Sequence, residues 1–448
     1  MNTLAVELNA TLEGTIAGRL LSDFGRRIYF PKGIVAQSAE ADRKATRFNA
    51  TVGMAYAQGQ PLMLPSLHRL LADLSSKEAV AYAPTAGVAE LRELWKQEMV
   101  AKNPTLKGKL FMQPLVTAGL TNGMFQTASL FTGPGEVVLI PDMFWGNYRL
   151  IFEEQKGGRV AAFPFFDEHL RLNVAGLRQA LRDNSGAGKV TLLLNFPNNP
   201  TGYSPTLGEA EAIAAAVIDQ AEAGTDVLVI TDDAYFGLFY DDESCTESLF
   251  SYLADAHERV LAVKVDGATK EEFVWGFRVG FVTAASKALT QVHYAALERK
   301  FMGAIRSTVS NSPGLSQNLL LRVMKSPSYH DEKEAEFRML RDRYAKLRAL
   351  LSSDATLIPR HPTTNRPLLE PLPFNSGYFM SFRCNGIGAE ALRLALLEKG
   401  IGVISIQDTF LRVAFASIDI GDLAPLYAEI SRTAVELATA ARDSARAL

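Results

Sequence analysis

Between residues 110 and 283, short apolar runs alternate with longer stretches whose apolar positions recur at helical spacing. The runs are nearly continuous and rich in β-branched residues, which is typical of strands buried on both faces of a parallel sheet. Residues 207–223 are predicted to form a helix, because Pro205 and Thr206 mark its start and Gly224 its end. Repeated strand–helix–strand units predict an α/β domain with a sheet covered by helices. The predicted strands are residues 136–140, 190–195, 227–231, 260–265 and 279–283.

The pattern changes after residue 332. A long charged helix is predicted at 332–351, a proline-rich loop follows, and strand-like runs at 377–382 and 411–415 flank a helix at 389–399. An alanine-rich helix runs from Leu423 to the end of the chain. This predicts a second, smaller α+β domain. The first sixty or so residues have weak periodicity and are expected to pack against that domain or against a partner subunit. The predicted units are residues 1–62, 63–333 and 334–448.

Composition narrows the class of protein. The apolar share of 48% and the charged share of 21% over 448 residues are ordinary for a soluble globular enzyme. A net charge of −3 gives no electrostatic reason to expect binding to nucleic acid or to an anionic membrane. No apolar run is long enough for a transmembrane helix, and the first residues do not resemble a signal peptide. Cys245 and Cys384 form neither a disulfide framework nor a metal site by spacing, which favours a reduced, cytoplasmic setting.

The segment between the predicted strands 260–265 and 279–283 carries Lys270 and, eight residues later, Arg278. An amine that forms a Schiff base needs a fixed anion nearby, and an arginine can hold that anion as a phosphate. The alternative is a pair of exposed surface charges, but segments between buried strands are where sites are built. Lys264 competes with Lys270, yet it lies inside the strand and at the wrong distance from Arg278.

The two preceding predicted strands also end in polar groups. Asn199 follows residues 190–195, and Asp232 and Tyr235 follow the next strand. Taken singly, these are an Asn-Pro turn and a helix N-cap with an exposed carboxylate. In open parallel sheets, however, ligands bind at the carboxyl ends of the strands.

Together these groups have one chemical use. A pyridine ring that acts as an electron sink needs a carboxylate at its nitrogen, donors for its phenolic oxygen and a lysine for its aldehyde. Asp232 matches the first need, Asn199 and Tyr235 the second, and Lys270 the third. A phosphate needs backbone N–H groups at the start of a helix. The stretch with Gly119, Leu120 and Thr121 opens such a helix, unless it is an ordinary glycine turn.

The order of these segments resembles the fold type I pyridoxal-phosphate enzymes, particularly the aspartate and aromatic aminotransferases. The similarity runs from about Asn49 to Phe415, and the ordered set is specific although each motif alone is weak. It implies a large domain with a mostly parallel seven-stranded sheet sandwiched by helices, a smaller α+β domain, pyridoxal 5′-phosphate as cofactor, and a homodimer with a shared active site. Further segments that resemble the family are residues 49–55 with 60–65, residues 82–87, residues 144–147, Arg306 with residues 310–313, and residues 411–415.

The resemblance implies roles for these segments. Gly53 lies on a substrate-contacting strand, and Trp145 stacks on the cofactor, although a lone tryptophan is more often part of a core. Tyr82 and Ser310 of the neighbouring subunit reach the phosphate. Arg412 grips the substrate α-carboxylate; as a buried arginine it needs either such a ligand or an internal carboxylate. Arg306 crosses the interface to a distal carboxylate, or is a solvated charge at a helix end.

The expected activity is transfer of an amino group between an L-amino acid, either aspartate or glutamate or an aromatic one, and a 2-oxo acid by a ping-pong mechanism. A β- or γ-eliminating lyase or a decarboxylase of the same fold is the alternative enzyme. A non-catalytic ligand-binding protein is a third interpretation, and the intact lysine argues against it.

Three departures or open points accompany the resemblance. Many relatives carry a phosphate-binding serine where this chain has Gly267, so Thr269 or backbone amides are left to compensate. Glu271 and Glu272 either face solvent or raise the pKa of Lys270. Residues 31–42 have no assigned use, and a lid over the site is one option.

Overall fold

Two main β-sheets organise the described part of the chain, which comprises residues 1–13, 15, 19, 21–29, 33–361 and 364–446 of a computed structural model. The strands are β1 (Phe48–Asn49), β2 (Tyr56–Ala57), β3 (Gln60–Pro61), β4 (Leu115–Thr117), β5 (Val137–Pro141), β6 (Arg159–Phe163), β7 (Lys189–Asn195), β8 (Asp226–Asp232), β9 (Val260–Gly267), β10 (Gly280–Ala285), β11 (Leu369–Pro371), β12 (Met380–Cys384), β13 (Ile401–Gly402), β14 (Ile404–Ile406) and β15 (Phe410–Val413).

Helices surround both sheets. A π-helical turn covers Arg149–Gln155, and a 3₁₀ turn covers Trp275–Phe277. The α-helices are α1 (Thr3–Leu12), α2 (Asp23–Arg27), α3 (Ile34–Lys44), α4 (Pro65–Leu70), α5 (Ser76–Val80), α6 (Ala89–Lys102), α7 (Leu120–Phe131), α8 (Val174–Asp183), α9 (Leu207–Glu222), α10 (Leu249–Leu253), α11 (Gln291–Arg306), α12 (Gly314–Met324), α13 (Tyr329–Ser353), α14 (Ala389–Glu398) and α15 (Leu423–Arg446). Within the described residues, none of these helices is both long and apolar enough to span a bilayer.

The larger sheet has seven strands in the order β4-β10-β9-β8-β7-β5-β6. Successive side chains of its central strands point to opposite faces, and apolar clusters cover both faces. Leu192 and Leu194 of β7 pack into one apolar cluster, whereas Leu193 packs into another on the opposite face. On the first of these faces lies α9, which begins with a capping box formed by Thr206 and Glu209. The α/β fold and the mostly parallel sheet expected from the sequence are confirmed.

One strand of this sheet runs against the others. The apolar run at 279–283 was counted among the parallel strands, but β10 is antiparallel to both β9 and β4. A parallel partner needs a crossover, usually a helix, to return the chain to the same edge. The segment that joins β9 to β10 contains only the short 3₁₀ turn, so the chain reverses direction and pairs antiparallel.

The smaller sheet is antiparallel, in the order β11-β12-β15-β14. The strand predicted from residue 377 begins only at Met380, because the backbone before it forms hydrogen bonds with segments outside the smaller sheet. The N–H groups of Asn375 and Ser376 both donate to the Gly202 carbonyl, and Gly377 N–H donates to the carbonyl of Leu238. These hydrogen bonds join the entry to the smaller sheet to the segments that follow β7 and β8.

The N-terminal part of the chain contacts the C-terminal part. Strand β1 pairs in parallel with β13. Gln37 of α3 exchanges two hydrogen bonds with the backbone of Ser405, and Glu40 pairs with Arg393 of α14. Helix α3 is therefore attached to the smaller sheet and its flanking helix.

Candidate active site

A cavity of about 350 Å³ opens at the carboxyl ends of the central parallel strands. Chains in such sheets leave their strands at this edge, which is why ligand-binding side chains collect there. The cavity is bounded by the segments after β5, β7, β8 and β9, by the start of α7, by the smaller sheet and by α3. Its lining includes most of the residues expected from the sequence: Gly53, Leu120, Thr121, Trp145, Asn199, Asp232, Tyr235, Lys270, Arg278 and Arg412.

Lys270 projects into this cavity from the segment after β9. Its Nζ donates a 2.8 Å hydrogen bond to the carbonyl of Gly53, and its own carbonyl accepts one of 2.8 Å from the Tyr378 hydroxyl. Burial lowers the pKa of Lys270 to about 7, and the positive charges of Arg412 and Arg278 act in the same direction. Near neutral pH a large share of this amine is therefore unprotonated and nucleophilic.

Asp232 ends β8 on the floor of the cavity. Its Oδ2 accepts a 2.6 Å hydrogen bond from the Tyr148 hydroxyl, and its Oδ1 accepts one of 3.1 Å from the backbone of Ala234. Burial raises the pKa of Asp232 to about 6, although the hydrogen bond from Tyr148 opposes that rise. The carboxylate is oriented and mostly ionised at neutral pH.

Tyr148 is a site residue that the sequence interpretation missed. It is 1% exposed and its ring meets Trp145 edge to face, with ring centroids 5.5 Å apart. The available signal was its spacing of three residues from Trp145, which places both on one face of a helical turn.

Arg412 reaches the cavity from β15 of the smaller sheet. Its Nη1 donates a 3.0 Å hydrogen bond to Asn199 Oδ1, and its Nη2 donates one of 2.9 Å to the Thr51 carbonyl. Its Nε has no partner among the described residues, and the guanidinium lies 4.3 Å from the centre of the Phe379 ring. Burial lowers the pKa of Arg412 to about 10. No carboxylate of the described residues pairs with it, so the interpretation as an internal ion pair is wrong.

The opposite end of the cavity is built from closely packed backbone. Gly119 has φ 83° and precedes α7, whose first residues, Leu120 and Thr121, present their N–H groups there. A Cβ on Gly119 would lie 2.4 Å from Arg278 Nη2, so a side chain there would displace the guanidinium. This glycine is required by both its backbone angle and its neighbour, and together with Arg278 it forms a cationic, N–H-rich corner suited to a phosphate.

The same corner explains the glycine at position 267. A Cβ there would lie 2.7 Å from the Val279 carbonyl oxygen and 2.8 Å from the Cα of Gly280, so serine does not fit without a shift of backbone. The Thr269 hydroxyl lines the cavity, is buried and has no hydrogen-bond partner among the described residues. A buried hydroxyl without a partner is costly unless a ligand supplies one.

Residues 53–430 match the family described as Aminotransferase class I and II. The chain belongs to that family. The family, the fold and the enzyme class expected from the sequence are thereby confirmed.

Individual members of the family are distant from this chain. It is 24% identical over 333 residues to an aspartate/prephenate aminotransferase of Thermus thermophilus, an alignment that covers 73% of this chain and 75% of that protein. It is 29% identical over 208 residues to an aspartate aminotransferase of Pyrococcus abyssi, with 46% of this chain and 49% of that protein covered. The chain thus aligns with about half the length of the Pyrococcus relative.

Solved structures match over nearly the whole fold. An aminotransferase of Anaerococcus prevotii superposes with a TM-score of 0.80 at 20% identity, covering 91% of this chain and 98% of that one. A single mutant of the Thermus thermophilus aspartate aminotransferase gives a TM-score of 0.71 at 19% identity, covering 92% and 99%. At these identities the likeness establishes the fold.

In this class I and II aminotransferase, Glu271 and Glu272 take neither of the two roles considered for them. Glu272 is fully buried and the Glu271 side chain is 12% exposed, and Lys333 pairs with Glu271 at 2.7 Å and with Glu272 at 3.1 Å. Lys102 pairs with Glu271 at 2.8 Å. Against the effect of burial, these ammonium groups lower the pKa of Glu271 to about 2. The two glutamates therefore anchor the Lys270 segment to α6 and α13, and Lys270 has a lowered pKa, not a raised one.

Three expected residues lie outside the cavity of this single chain. Tyr82 is 92% exposed, and Arg306 and Ser310 are exposed neighbours joined by a 2.6 Å hydrogen bond from Arg306 Nη1 to Ser310 Oγ. The resemblance assigns them to the site of a second subunit, and that assignment stays a prediction.

Helix α3 closes one side of the cavity with Ile34 and Ser38. Pro31 and Lys32, at the start of the segment considered as a lid, lie outside the described residues. From Gly33 onward the segment packs on the smaller sheet, so one wall of the cavity is attached to that sheet.

Proposed function

We propose that this chain binds pyridoxal 5′-phosphate and transfers an amino group between an L-amino acid and a 2-oxo acid by a ping-pong mechanism. The observation that carries the proposal is the meeting of Lys270, Asp232 and Arg412 in one cavity, although they come from distant parts of the chain. Asp232 and Arg412 are buried and Lys270 is half-buried, and each has a charge state that a different part of a cofactor–substrate pair requires. We assign the cofactor to residues 63–333 and the closing wall to residues 1–62 and 334–448.

The polar atoms of the cavity fit this cofactor. Arg278, the N–H groups of Leu120 and Thr121, and the unpartnered hydroxyl of Thr269 suit the phosphate, with Gly119 leaving the space. Asp232 suits a protonated ring nitrogen at the other end. Asn199 and Tyr235 line the same cavity and would donate to the phenolic oxygen, and Trp145 would stack on a ring face.

Bound pyridoxal phosphate would supply an electron sink for the α-carbon of an attached amino acid. Lys270 is the group of this chain that would hold the cofactor and then move a proton at that carbon. Its pKa, about 7, matches this task, because a general base works best when its pKa is near the working pH. Asp232, held by Tyr148, would keep the ring nitrogen protonated and so keep the sink effective.

Arg412 would bind the substrate α-carboxylate. It lacks a carboxylate partner among the described residues, its Nε is free to donate, and its planar donors match a carboxylate in two places. Asn199 and Thr51 hold the guanidinium in place from behind. Gly53, whose carbonyl accepts from Lys270, lies beside the substrate position.

We favour dicarboxylic amino acids as substrates, with aromatic ones as the other option. Relatives are named for aspartate, aspartate/prephenate and aromatic amino acids. A distal carboxylate would be read by Arg306 of a second copy, in a cytoplasmic homodimer in which Tyr82 and Ser310 also complete the neighbouring phosphate site.

The absorbance spectrum of the purified protein tests the proposal. We expect a visible band from a lysine-bound cofactor, a change of that band on addition of aspartate, and its return on addition of a 2-oxo acid. Lys270→Ala should lose the band, and borohydride should fix the cofactor on Lys270 of the unaltered protein. A colourless protein that stays colourless with pyridoxal phosphate contradicts the proposal. Release of ammonia or pyruvate without any 2-oxo acid would indicate a lyase instead.

A further inference from the structure

A second lysine lies buried beside the cavity but outside it. Lys264 of β9 is 1% exposed, and its Nζ lies 2.8 Å from Asp233 Oδ2 and 2.7 Å from Asp266 Oδ2. The carboxylates are also buried. Asp233 accepts a 2.6 Å hydrogen bond from the Ser248 hydroxyl, and Asp266 accepts one of 3.2 Å from Trp95 Nε1. Lys264, Asp233 and Asp266 are called the charged triad below.

The charged triad is an expensive way to fill the interior of a sheet. Two carboxylates and one ammonium must lose their water, and buried ion pairs of this kind are often no more stable than apolar residues of similar volume. The position two residues earlier on the same face of the strand, Ala262, is apolar and fully buried. The fold therefore supplies no reason for ions at this place.

The triad lies directly behind Asp232. Strands β8 and β9 pair in register, with Thr231 opposite Lys264 and Asp232 opposite Val265. Because neighbouring side chains alternate between faces, Asp232 enters the cavity while Asp233 turns to the other side and meets Lys264. The negative charge of Asp233 raises the pKa of Asp232. Lys264 supplies the positive charge that pairs with Asp233.

Several other groups set the charge around these residues. Those near Asp232 are Tyr148 from the segment after β5, Tyr235 and Asp233 from its own segment, Lys270 from the segment after β9, and Arg412 from β15. Those near Lys264 are Asp233 and Asp266 and, around a small cavity, Glu98 with the paired Lys102 and Glu271. Only Lys264 in this second set pairs with Asp233.

We propose that Lys264 is a positioning residue that neutralises Asp233 from behind the cavity, so that Asp232 stays an anion able to hold a protonated ring nitrogen. The inference rests on the proposed function, because the ring nitrogen belongs to the proposed cofactor. The charged triad would thus set the charge of Asp232, although the ion pairs of Lys264 are with Asp233 and Asp266.

The test compares two ligands on the full-length chain freed of cofactor. One is pyridoxal phosphate and the other is its analogue with carbon in place of the ring nitrogen, and binding is followed by quenching of tryptophan fluorescence. In Lys264→Met, pyridoxal phosphate should bind about tenfold more weakly at neutral pH, the change that one pKa unit produces. Binding of the carbon analogue should not change. The double variant Lys264→Met with Asp233→Asn should regain the affinity for pyridoxal phosphate, because the negative charge next to Asp232 in the chain is gone.

A purely structural role predicts other results. Equal losses for the two ligands, no loss for either, or failure of Asp233→Asn to restore binding would each overturn the inference. Lys189→Met is the matched control: it removes an ion-paired lysine at the far end of β7, and it should leave both affinities unchanged. Circular dichroism of every variant establishes that it is folded.

A second variant decides the matter if Lys264→Met does not fold. Asp233→Asn alone keeps the pair of Lys264 with Asp266, and it removes the charge that opposes ionisation of Asp232. The difference in affinity between the two ligands should fall at acid pH as Asp232 becomes protonated. In Asp233→Asn the midpoint of this fall should lie at lower pH, and an unmoved midpoint refutes the inference. If the unaltered protein binds no pyridoxal phosphate, the proposed function itself fails; if it binds and the variants behave like it, only this inference fails.

Discussion

The Tyr148 hydroxyl donates a 2.6 Å hydrogen bond to Asp232 Oδ2 at the buried floor of the cavity. Both groups are almost fully buried, so a water molecule cannot take the place of either hydrogen-bond partner. The bond favours the charged form of Asp232, and burial together with Asp233 favours the neutral form. The charge of the carboxylate at neutral pH therefore depends on this tyrosine.

Tyr148→Phe should raise the pKa of Asp232 further above about 6, because a hydrogen bond to the charged form is lost. We expect the acid limb of the pH profile of kcat to move to higher pH and the affinity for pyridoxal phosphate at neutral pH to fall about tenfold. Tyr203→Phe is the control, since Tyr203 also donates to a carboxylate, Glu209, away from the cavity. An unmoved acid limb in Tyr148→Phe would contradict the assignment.

Thr269→Val tests whether the Thr269 hydroxyl binds the phosphate or only contributes to packing. The hydroxyl has no hydrogen-bond partner among the described residues, so its removal should leave the free energy of unfolding of the cofactor-free chain unchanged or about 1 kcal/mol larger. Affinity for pyridoxal phosphate should fall about tenfold, because a hydrogen bond to a charged group contributes roughly 1.5–3 kcal/mol. Thr283→Val removes another buried hydroxyl that has no partner in the part of the chain that the structure describes, and it should change stability alone. Equal binding by the two variants would remove Thr269 from the phosphate site.

Arg412→Lys keeps the charge but loses the planar pair of donors. We expect kcat/KM to fall about 100-fold, since disturbing a buried, hydrogen-bonded charge pair costs roughly 2–5 kcal/mol. The loss should be smaller for the matching amine that lacks an α-carboxylate. Arg383→Lys, on the neighbouring strand β12 and paired with Glu370, is the control and should retain activity. A variant at Arg412 that loses equally on both substrates would argue against carboxylate binding.

The pH dependence of stability should report on Lys270. Its pKa falls from 10.5 to about 7 on folding, so between these values the unfolded chain binds more protons than the folded chain. Stability of the cofactor-free protein should therefore rise with pH across this window, because the cost of burying the charged amine is complete below about pH 7 and is gone above about pH 10.5. Urea unfolding of the unaltered protein and of Lys270→Met at several pH values measures it. Lys270→Met should be the more stable protein at neutral pH, its advantage should shrink as pH rises, and a constant difference would show that the amine is not desolvated.

Arg306→Ala tests the preference for dicarboxylic substrates. If the side chain reads a distal carboxylate across a subunit interface, kcat/KM for aspartate should fall about 100-fold or more, because a charged partner is removed. Activity on phenylalanine should be nearly unchanged. Steady-state kinetics with both substrates measure the ratio, and equal losses would remove the argument for dicarboxylic substrates.

Much of the site followed from order along the chain. Asn199, Asp232 and Lys270 each follow an apolar run, and parallel strands deliver their carboxyl ends to one edge. Parallel pairing of β7, β8 and β9 brings the ends of these runs together, as local pattern and a general rule of topology predict. The direction of β10 could not be predicted in this way, because an apolar run has the same pattern in either orientation.

The hydrogen-bond and ion-pair partners of the site residues were harder to predict from the sequence than their positions. Glu271 and Glu272 follow the lysine in a stretch whose charges suggest solvent exposure. Lys333, more than sixty positions away, nevertheless forms ion pairs with both of them in the interior of the fold. Arg412 was expected to need an anion, but its oxygen partners within the chain are neutral. Tyr148 gave only a weak signal, since nothing in its neighbours along the chain points to Asp232.

By itself, the sequence determined the elements and the types of chemical group at the strand ends, because side-chain period and turn residues act over a few neighbouring positions. Only the tertiary structure decided which groups are desolvated, which are paired, and which are left open to a ligand. Those properties depend on contacts between segments far apart in the chain, such as Tyr148 with Asp232 and Lys264 with Asp233. Charge and proton affinity in a buried site follow from such contacts, and no local pattern encodes them.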